Sequence, residues 1–486
     1  MPGTLLAVYP NTLVVMQDPE VEVVTNFSDV LGSMTRFSST LAAATNTLSA
    51  RPAKVFARTP SVIVGADADG LGIVRGLGKA GVPVIVLDTD PRRPGMHSRY
   101  ARPFVVKTLS GPGLIDGLLA LRKSIDQSPL LFLTDDRQVR CVSEHRAQWA
   151  GAFRIRLPEP DCIRQLLHKL TFQHLAERHG FPVPRAIGIH SEKDFVNFSE
   201  IQFPAVIKPG NKEVFFGRKA PRAQRVESRE EAETVCRLIL QEAADLIVQE
   251  WVEGRESDIY FCLQYRGENG LTISSFTGRK LRCWPPQTGS TASCTAAPEV
   301  ESELRPMTKA FFDKTQFVGM CSMEFKQDRR TGKFFMIEPT VGRTDWQEEV
   351  ASMNGVNIPL AAYCYELGRT QPLSEEIRRP LTWTYPPSYV RSLVRSALTT
   401  ESFRDRRPSA GRVKSPCWSS DDPVPLFFFA KEWIRKLWSP RRWRELTCQR
   451  WQVGGATSPI VAQVNQEPAS AVSPDMPTSS VPPSAP

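Results

Sequence analysis

At 486 residues, 41% of them hydrophobic, the chain is too long for one hydrophobic core, and its length predicts a soluble, globular protein of roughly two to four domains. Its ten cysteines are scattered singly with no CxxC pair, which excludes a disulfide framework and a CxxC zinc site and predicts a reducing, cytoplasmic setting. The net charge of +9 gathers largely from Arg378 onward, a basic tail suited to a polyanion or membrane surface rather than a nucleic-acid-binding body, and no apolar run of about eighteen residues is present to span a bilayer.

Residues 1 to 58 are rich in Thr, Ser and Ala and read as a disordered extension, with short apolar patches at Leu5 to Tyr9 and Thr12 to Met16. Order begins at Ser61-Val-Ile-Val, a buried-strand pattern that leads through Asp67-Ala-Asp-Gly-Leu-Gly into a helix ending near Lys79. A second strand, Gly81 to Asp88, makes this a βαβ unit, but Gly65, Gly70, Gly72 and Gly76 do not fall in the GxGxxG register of a dinucleotide site. Leu130 to Asp136 adds a strand ending in two acids, where open α/β sheets place their sites; either acid would equally cap the next helix. Residues 59–158 are therefore expected to form a Rossmann-like domain.

A continuous helix is expected from Asp161 to His179, with Lys169 inside it and Pro182 and Pro184 beyond its end. The strand Phe203 to Pro209 carries Lys208 in an otherwise apolar run, where a lysine is costly unless it is paired or reaches a ligand. A cationic loop follows (Asn211 to Arg225), then a helix from Arg229 and a strand, Leu246 to Gly254, running into acids. The stretch Phe276 to Cys294 holds Arg279, Lys280 and Arg282, read either as anchors for a substrate carboxylate or as a basic strand edge.

From Phe317 to Trp346 two apolar runs flank Gln-Asp-Arg-Arg-Thr-Gly, the signature of a β-hairpin. Folded about that turn, Glu324 and Glu338 come level on neighbouring strands about 5 Å apart. Two bare carboxylates so placed repel by roughly 4 kcal/mol at an effective dielectric near 20, which calls for a shared proton, a basic partner or a hard cation, unless both point at water. The local inventory favours the cation: no His or paired Cys lies nearby, all six His occur at or before His190, and oxygen ligands suit magnesium. Arg343 would then clamp phosphate oxygens.

Beyond residue 371 lies a basic, aromatic extension to 452. Its segment from Val424 through Trp438 to Leu446 interleaves aromatics with Lys and Arg, which suits either an anionic membrane surface, making the protein peripheral at the inner face, or packing on the protein body. Residues 453–486 read as a disordered tail.

The order of these parts resembles the ATP-grasp superfamily over about residues 61–368. It is similar to bacterial carboxylate-amine ligases of the D-aspartate ligase and carbamoyl-phosphate synthase large-chain kind. The resemblance implies an α/β and α+β architecture, a Rossmann-like domain followed by a two-lobed ATP-grasp domain at 159–370. For the nucleotide it implies Lys169, Lys208, Glu250, the backbone of Trp251 and Val252, and Glu256 at the ribose with Asp258 as a substitute. For Mg2+, with Mn2+ as a substitute, it implies Glu324 and Glu338; Thr340 stands where the family usually has Asn. Arg343, Arg279 and Arg282 are the implied catalytic cations. The implied reaction is ATP-dependent, ADP-forming ligation of a small carboxylate to an amine in envelope or exopolysaccharide biosynthesis. The alternative is a nucleotide-binding envelope-assembly protein without catalysis. Oligomerisation stays open, and no nucleic-acid partner is implied.

Overall fold

The computed structural model describes the backbone of 5–9, 12–17 and 20–24, and then residues 58–211, 223–343, 345–370, 380–398 and 413–437. The N-terminal extension is not wholly irregular: β1 (Leu5–Tyr9), β2 (Thr12–Gln17) and β3 (Glu20–Val24) pair as an antiparallel sheet, and the first two coincide with its apolar patches.

The Rossmann-like part is a parallel sheet of β4 (Ser61–Val64), β5 (Val84–Asp88), β6 (Ala101–Val105) and β7 (Leu130–Leu133) in the order β6-β5-β4-β7. Its helices are α1 (Ala68–Lys79), α2 (Pro112–Arg122), α3 (Asp136–Glu144) and the short α4 (Arg146–Trp149). Strands β4, β5 and β7 are buried throughout, which explains their unbroken apolar runs. β6 carries no such run and escaped the sequence pattern. Asp67 caps α1 and Asp135 caps α3, accepting from the Arg137 N–H at 2.9 Å.

The helix expected from Asp161 to His179 is two helices, α5 (Pro160–Leu167) and α6 (Lys169–Arg178), broken where His168 takes an extended conformation. Lys169 therefore opens a helix instead of lying inside one. An antiparallel sheet follows in the order β10-β9-β11-β8, made of β8 (Ala186–Ile189), β9 (Ala205–Pro209), β10 (Gln224–Val226) and, after α7 (Arg229–Leu240), β11 (Leu246–Glu250).

A seven-stranded sheet holds β12 (Ile259–Arg266), β13 (Thr272–Trp284), β14 (Ser290–Ala296), β15 (Gly319–Gln327) and β16 (Phe334–Val341). One face, with Tyr260, Cys262, Met323 and Phe325, packs against α8 (Glu301–Lys314) through Leu304, Phe311 and Phe312. The other, with Phe261, Leu263, Tyr265 and Phe276, packs against α9 (Gln347–Met353) and α10 (Ile358–Glu366). Gly278 sits on this second face, where a Cβ would lie 2.4 Å from the Phe261 ring.

The C-terminal extension joins the same body. β17 (Thr382–Thr384) pairs with β14, and beyond α11 (Pro386–Leu398) the short β18 (Val413–Lys414) pairs with β17. In α12 (Val424–Leu437), Phe429 is fully buried in a cluster with Ala68, Leu71 and Cys417, and Phe428 stacks on His97 with centroids 3.4 Å apart. Of the two expectations for this segment, its described part follows packing on the protein body; residues 438–446 and the tail at 453–486 lie outside the described residues. No described helix is long and apolar enough to cross a membrane.

Candidate nucleotide and metal site

The hairpin forms as its sequence requires. β15 and β16 pair antiparallel with Glu324 opposite Glu338 and Ser322 opposite Thr340, so both carboxylates and the Thr340 hydroxyl belong to one side of the sheet. A register shift after Glu324 leaves the rest of the pairing one residue out of step. What offsets the repulsion in this structure is a basic partner, Lys280 of β13, whose Nζ is 2.6 Å from Glu324 Oε2 and whose side chain is 7% exposed. Burial opposes its charge most strongly, but the charge and hydrogen bond of Glu324, with Cys283 and Asp345 adding to them, together raise the Lys280 pKa above its ordinary value.

Glu324, Glu338 and Thr340 supply the all-oxygen donors that a magnesium ion accepts, with the remaining positions left to phosphates and water. No group of three His, Cys, Asp or Glu among the described residues makes a complete metal cage, so such an ion needs ligands from outside the protein. The donor set fits on those terms, with the Lys280 ammonium as a neighbour that shares Glu324.

Lys208 ends β9 and donates to Gln249 Oε1 at 3.1 Å. Gln249 donates in turn to Gln173 Oε1 at 3.0 Å, and Gln173 to Glu177 Oε1 and the Pro184 carbonyl, both at 2.8 Å. Gln249 and Gln173 are buried, so this chain of bonds orients the lysine and ties β11 to α6, the helix that Lys169 begins. The Lys169 N–H donates to the Gly210 carbonyl at 2.9 Å, just after Lys208, and the Met336 N–H of β16 donates to Pro182 at 2.7 Å. The lysine-bearing elements and the carboxylate hairpin are thus joined through α6 and the loop after it.

The other residues expected at the nucleotide have the following partners in the structure. Glu256 is occupied by backbone: it accepts from the Cys283 N–H at 3.0 Å and the Gln287 N–H at 2.7 Å, which holds the β13–β14 turn. Glu250 accepts from the Gln202 N–H at 2.9 Å, and the Trp251 N–H donates to Pro204, so that donor is not free for a base. The Trp251 ring lies under the Arg225 guanidinium at 4.8 Å, and Val252 follows it in the connection to β12. The three cations of β13 do not act together, because neighbouring residues of a strand point to opposite faces. Arg279 reaches Glu299 at 3.6 Å, and beyond a register shift Arg282 lies over the Tyr389 ring at 5.9 Å, leaving Lys280 toward Glu324.

Gly342, at φ +70°, lets the chain turn out of β16 and pack against Val139, placing Arg343 against Asp136 of α3 in a largely buried ion pair. The two acids after β7 thus divide the roles read from sequence: Asp135 caps and Asp136 binds Arg343. Around Arg343 gather Asp69 and Asp345. Burial, reinforced by Asp67, pushes the Asp69 carboxyl up to about 7. Burial pushes Glu348 up to about 8, with Glu349 and Asp345 adding to it.

Sequence reasoning missed this acid cluster and the buried Lys326. Burial lowers the Lys326 pKa despite nearby Asp258, Cys283 and Glu256. The signal was present for Lys326: it shares period-two spacing with Glu324 in an apolar strand, the same criterion that singled out Lys208.

No family model matches the chain. It is 24% identical over 319 residues to the D-aspartate ligase of Enterococcus faecium, covering 61% of this chain and 74% of the relative. The N5-carboxyaminoimidazole synthetase of Staphylococcus aureus complexed with ADP superposes with a TM-score of 0.51 at 15% identity, over 68% of this chain and 82% of that one. The biotin carboxylase domain of Hydrogenobacter thermophilus 2-oxoglutarate carboxylase, solved with MgADP and bicarbonate, gives 0.51 at 14% identity, over 66% and 74%. Fold and likenesses together define the class: the chain has the ATP-grasp fold. Within it, the chain resembles bacterial carboxylate-amine ligases of the D-aspartate ligase kind.

Proposed function

We propose that the protein is an ATP-dependent, ADP-forming ligase that joins a carboxylate to an amine. The observation that carries this reading is the pair Glu324 and Glu338, level on neighbouring strands and on one side of the sheet. Support comes from the curated ligase relative and from fold neighbours solved with ADP and MgADP.

In this reading the substrate carboxylate attacks the γ-phosphate of ATP, ADP leaves, and the amine displaces phosphate from the resulting acylphosphate to give an amide. Such chemistry asks the protein for positioning and charge neutralisation more than for a nucleophile. Lys169 and Lys208 take the phosphates, Lys208 held in place by Gln249. Glu324, Glu338 and Thr340 would hold Mg2+, or Mn2+ in its place, which neutralises phosphate charge when bound. Arg343 sits where the Rossmann-like part meets the hairpin and, braced by Asp136, presents a fixed cation to a substrate carboxylate or the transferred phosphoryl group. The nine described cysteines are all free thiols, in keeping with a cytoplasmic enzyme. Work in envelope or exopolysaccharide assembly rests on the resemblance alone; accumulation of an unligated envelope precursor after gene deletion tests it.

The experiment is ADP release over a panel of amino acids and sugar acids paired with amines. Turnover with one pair is expected, and Glu338→Gln should reduce it about 10²- to 10³-fold or more while the fold is kept. Undiminished turnover in that variant removes the metal assignment. A second reading, a nucleotide-binding protein without catalysis, is favoured by the Lys280–Glu324 pair and by Thr340 at the metal position. ATP binding with no ADP release over the whole panel would select it.

A further inference from the structure

Lys326 follows Glu324 by two residues on β15, so the two side chains leave the same side of the sheet about 7 Å apart along the strand. It lies level with Ile259 of β12 and Phe335 of β16 and is 7% exposed. Its aliphatic stem runs against Gly254, where a Cβ would come within 3.1 Å of Lys326 Cε, and its ammonium donates to the Arg255 carbonyl.

An ammonium has three N–H donors, and burying one whose acceptor among the described residues is the Arg255 carbonyl, with no ion pair among them, is costly. The acids around Lys326 are engaged with other groups. Glu324 Oε2 meets Lys280 at 2.6 Å, Glu256 accepts from the Cys283 and Gln287 N–H groups, and Asp258 Oδ2 accepts from the Arg255 N–H at 2.6 Å. The two remaining donors of Lys326 suit oxygen acceptors brought by a ligand.

Order along β15 and into the neighbouring connection says which part of the ligand. Passing from Glu324 to Lys326 and on to the connection at 251–255, the protein presents a phosphate and metal position, a buried ammonium, then the segment expected to line the base. A nucleoside triphosphate presents phosphate, ribose and base in that order. Glu256, the acid first expected at the ribose, has both carboxylate oxygens on backbone N–H groups.

We propose that Lys326 is the ribose-binding residue, donating to hydroxyl oxygens of the bound nucleoside triphosphate while its Arg255 bond holds the connection beside the base. This rests on the ATP site proposed above and names a contact within it. The test is calorimetry on the full-length protein with the magnesium complexes of ATP, 2′-deoxy-ATP and 3′-deoxy-ATP, for the wild type, Lys326→Met and Lys326→Arg. The wild type should prefer ATP to at least one deoxy analogue by about tenfold, the scale of a hydrogen bond to a charged donor. That preference should vanish in Lys326→Met and survive in part in Lys326→Arg. Equal ATP affinity in wild type and Lys326→Met, an unchanged ATP-to-deoxy ratio, or a wild type indifferent to both deoxy analogues overturns the inference and leaves the ATP site standing. A wild type that binds no ATP overturns the site itself. If Lys326→Met fails to fold, Lys326→Gln is judged by the same ratios.

Discussion

Asp69 and Glu348 ionise far later than ordinary carboxylates, at about 7 and about 8, chiefly because burial disfavours their charged forms. Glu348 has one oxygen satisfied by the Ser352 hydroxyl at 2.8 Å, while its Oε2 has no hydrogen-bond partner among the described residues. For acids with folded-state pKa values raised in this way, the folded protein holds more protons than the unfolded chain between about pH 4 and pH 8. Their effect is to lower stability as pH rises through that window and to level off above it. The double variant Asp69→Asn, Glu348→Gln should therefore show a flatter melting temperature between about pH 5 and pH 8.5 than the wild type, with its advantage greatest at the alkaline end. Differential scanning fluorimetry across that range checks it; parallel curves would mean that neither acid is buried with its charge at stake. Lys280 shows the converse case, a buried cation kept charged by its neighbours, Glu324 foremost.

At the scale of elements, the site depends on which strand or helix end meets which. Lys208 is oriented by a chain that crosses from β9 to β11 to α6, and its middle member, Gln249, is 3% exposed. Gln249→Leu keeps the volume and the strand but removes the acceptor for Lys208 and the donor to Gln173. It should weaken ATP binding about tenfold by calorimetry and lower the melting temperature, since it leaves a buried amide oxygen unpaired. An unchanged ATP affinity would show that Lys208 does not need this support. The break at His168 works at the same scale. Its Nε2 lies 2.8 Å from Asp245 Oδ2, and the Asp245 carboxylate presses on Gly210, where a Cβ would come within 2.4 Å. The start of α6 is thereby seated on the end of the strand bearing Lys208, with Lys169 paired to Gly210, two residues beyond Lys208, so the two lysines proposed for the nucleotide come from adjoining backbone. Helical periodicity continues through His168, where the extended conformation coincides with its bridge to Asn211 and its contact with Asp245.

At the scale of the whole described body, the C-terminal segment is bound to the N-terminal Rossmann-like part. Arg75 of α1, 4% exposed, donates to Asp422 Oδ2 at 2.9 Å and to the Pro416 and Asp422 carbonyls. Asp422 also accepts from the Ser98 hydroxyl at 2.8 Å and the Arg99 N–H at 2.9 Å. Asp422→Ala would leave the Arg75 guanidinium buried without its counter-charge, at a cost of about 3–5 kcal/mol. The melting temperature should fall by several degrees, and limited proteolysis should cut within 413–433 before the rest of the protein. Coincident cleavage of both regions would refute this attachment. From the same segment Glu432 lies 3.8 Å from Arg93, which pairs with Asp67 at the first βα turn, so the extension reaches the rim of the acid cluster around Arg343.

What the amino-acid order determined by itself was local and periodic. The apolar runs of β4, β5 and β7, the hairpin from Gly319 to Val341 with Glu324 level with Glu338, and the lysine in β9 follow from hydrophobic patterning and turn chemistry within a few residues. The succession of these pieces was also enough to suggest the ATP-grasp fold. The partners of the charged groups were decided only by tertiary structure: Lys280 for Glu324, Asp136 for Arg343, backbone N–H groups for Glu256, Asp422 for Arg75. These four partners lie tens to hundreds of positions away and are selected by how sheets and helices pack, and no pattern within one strand or helix carries that information.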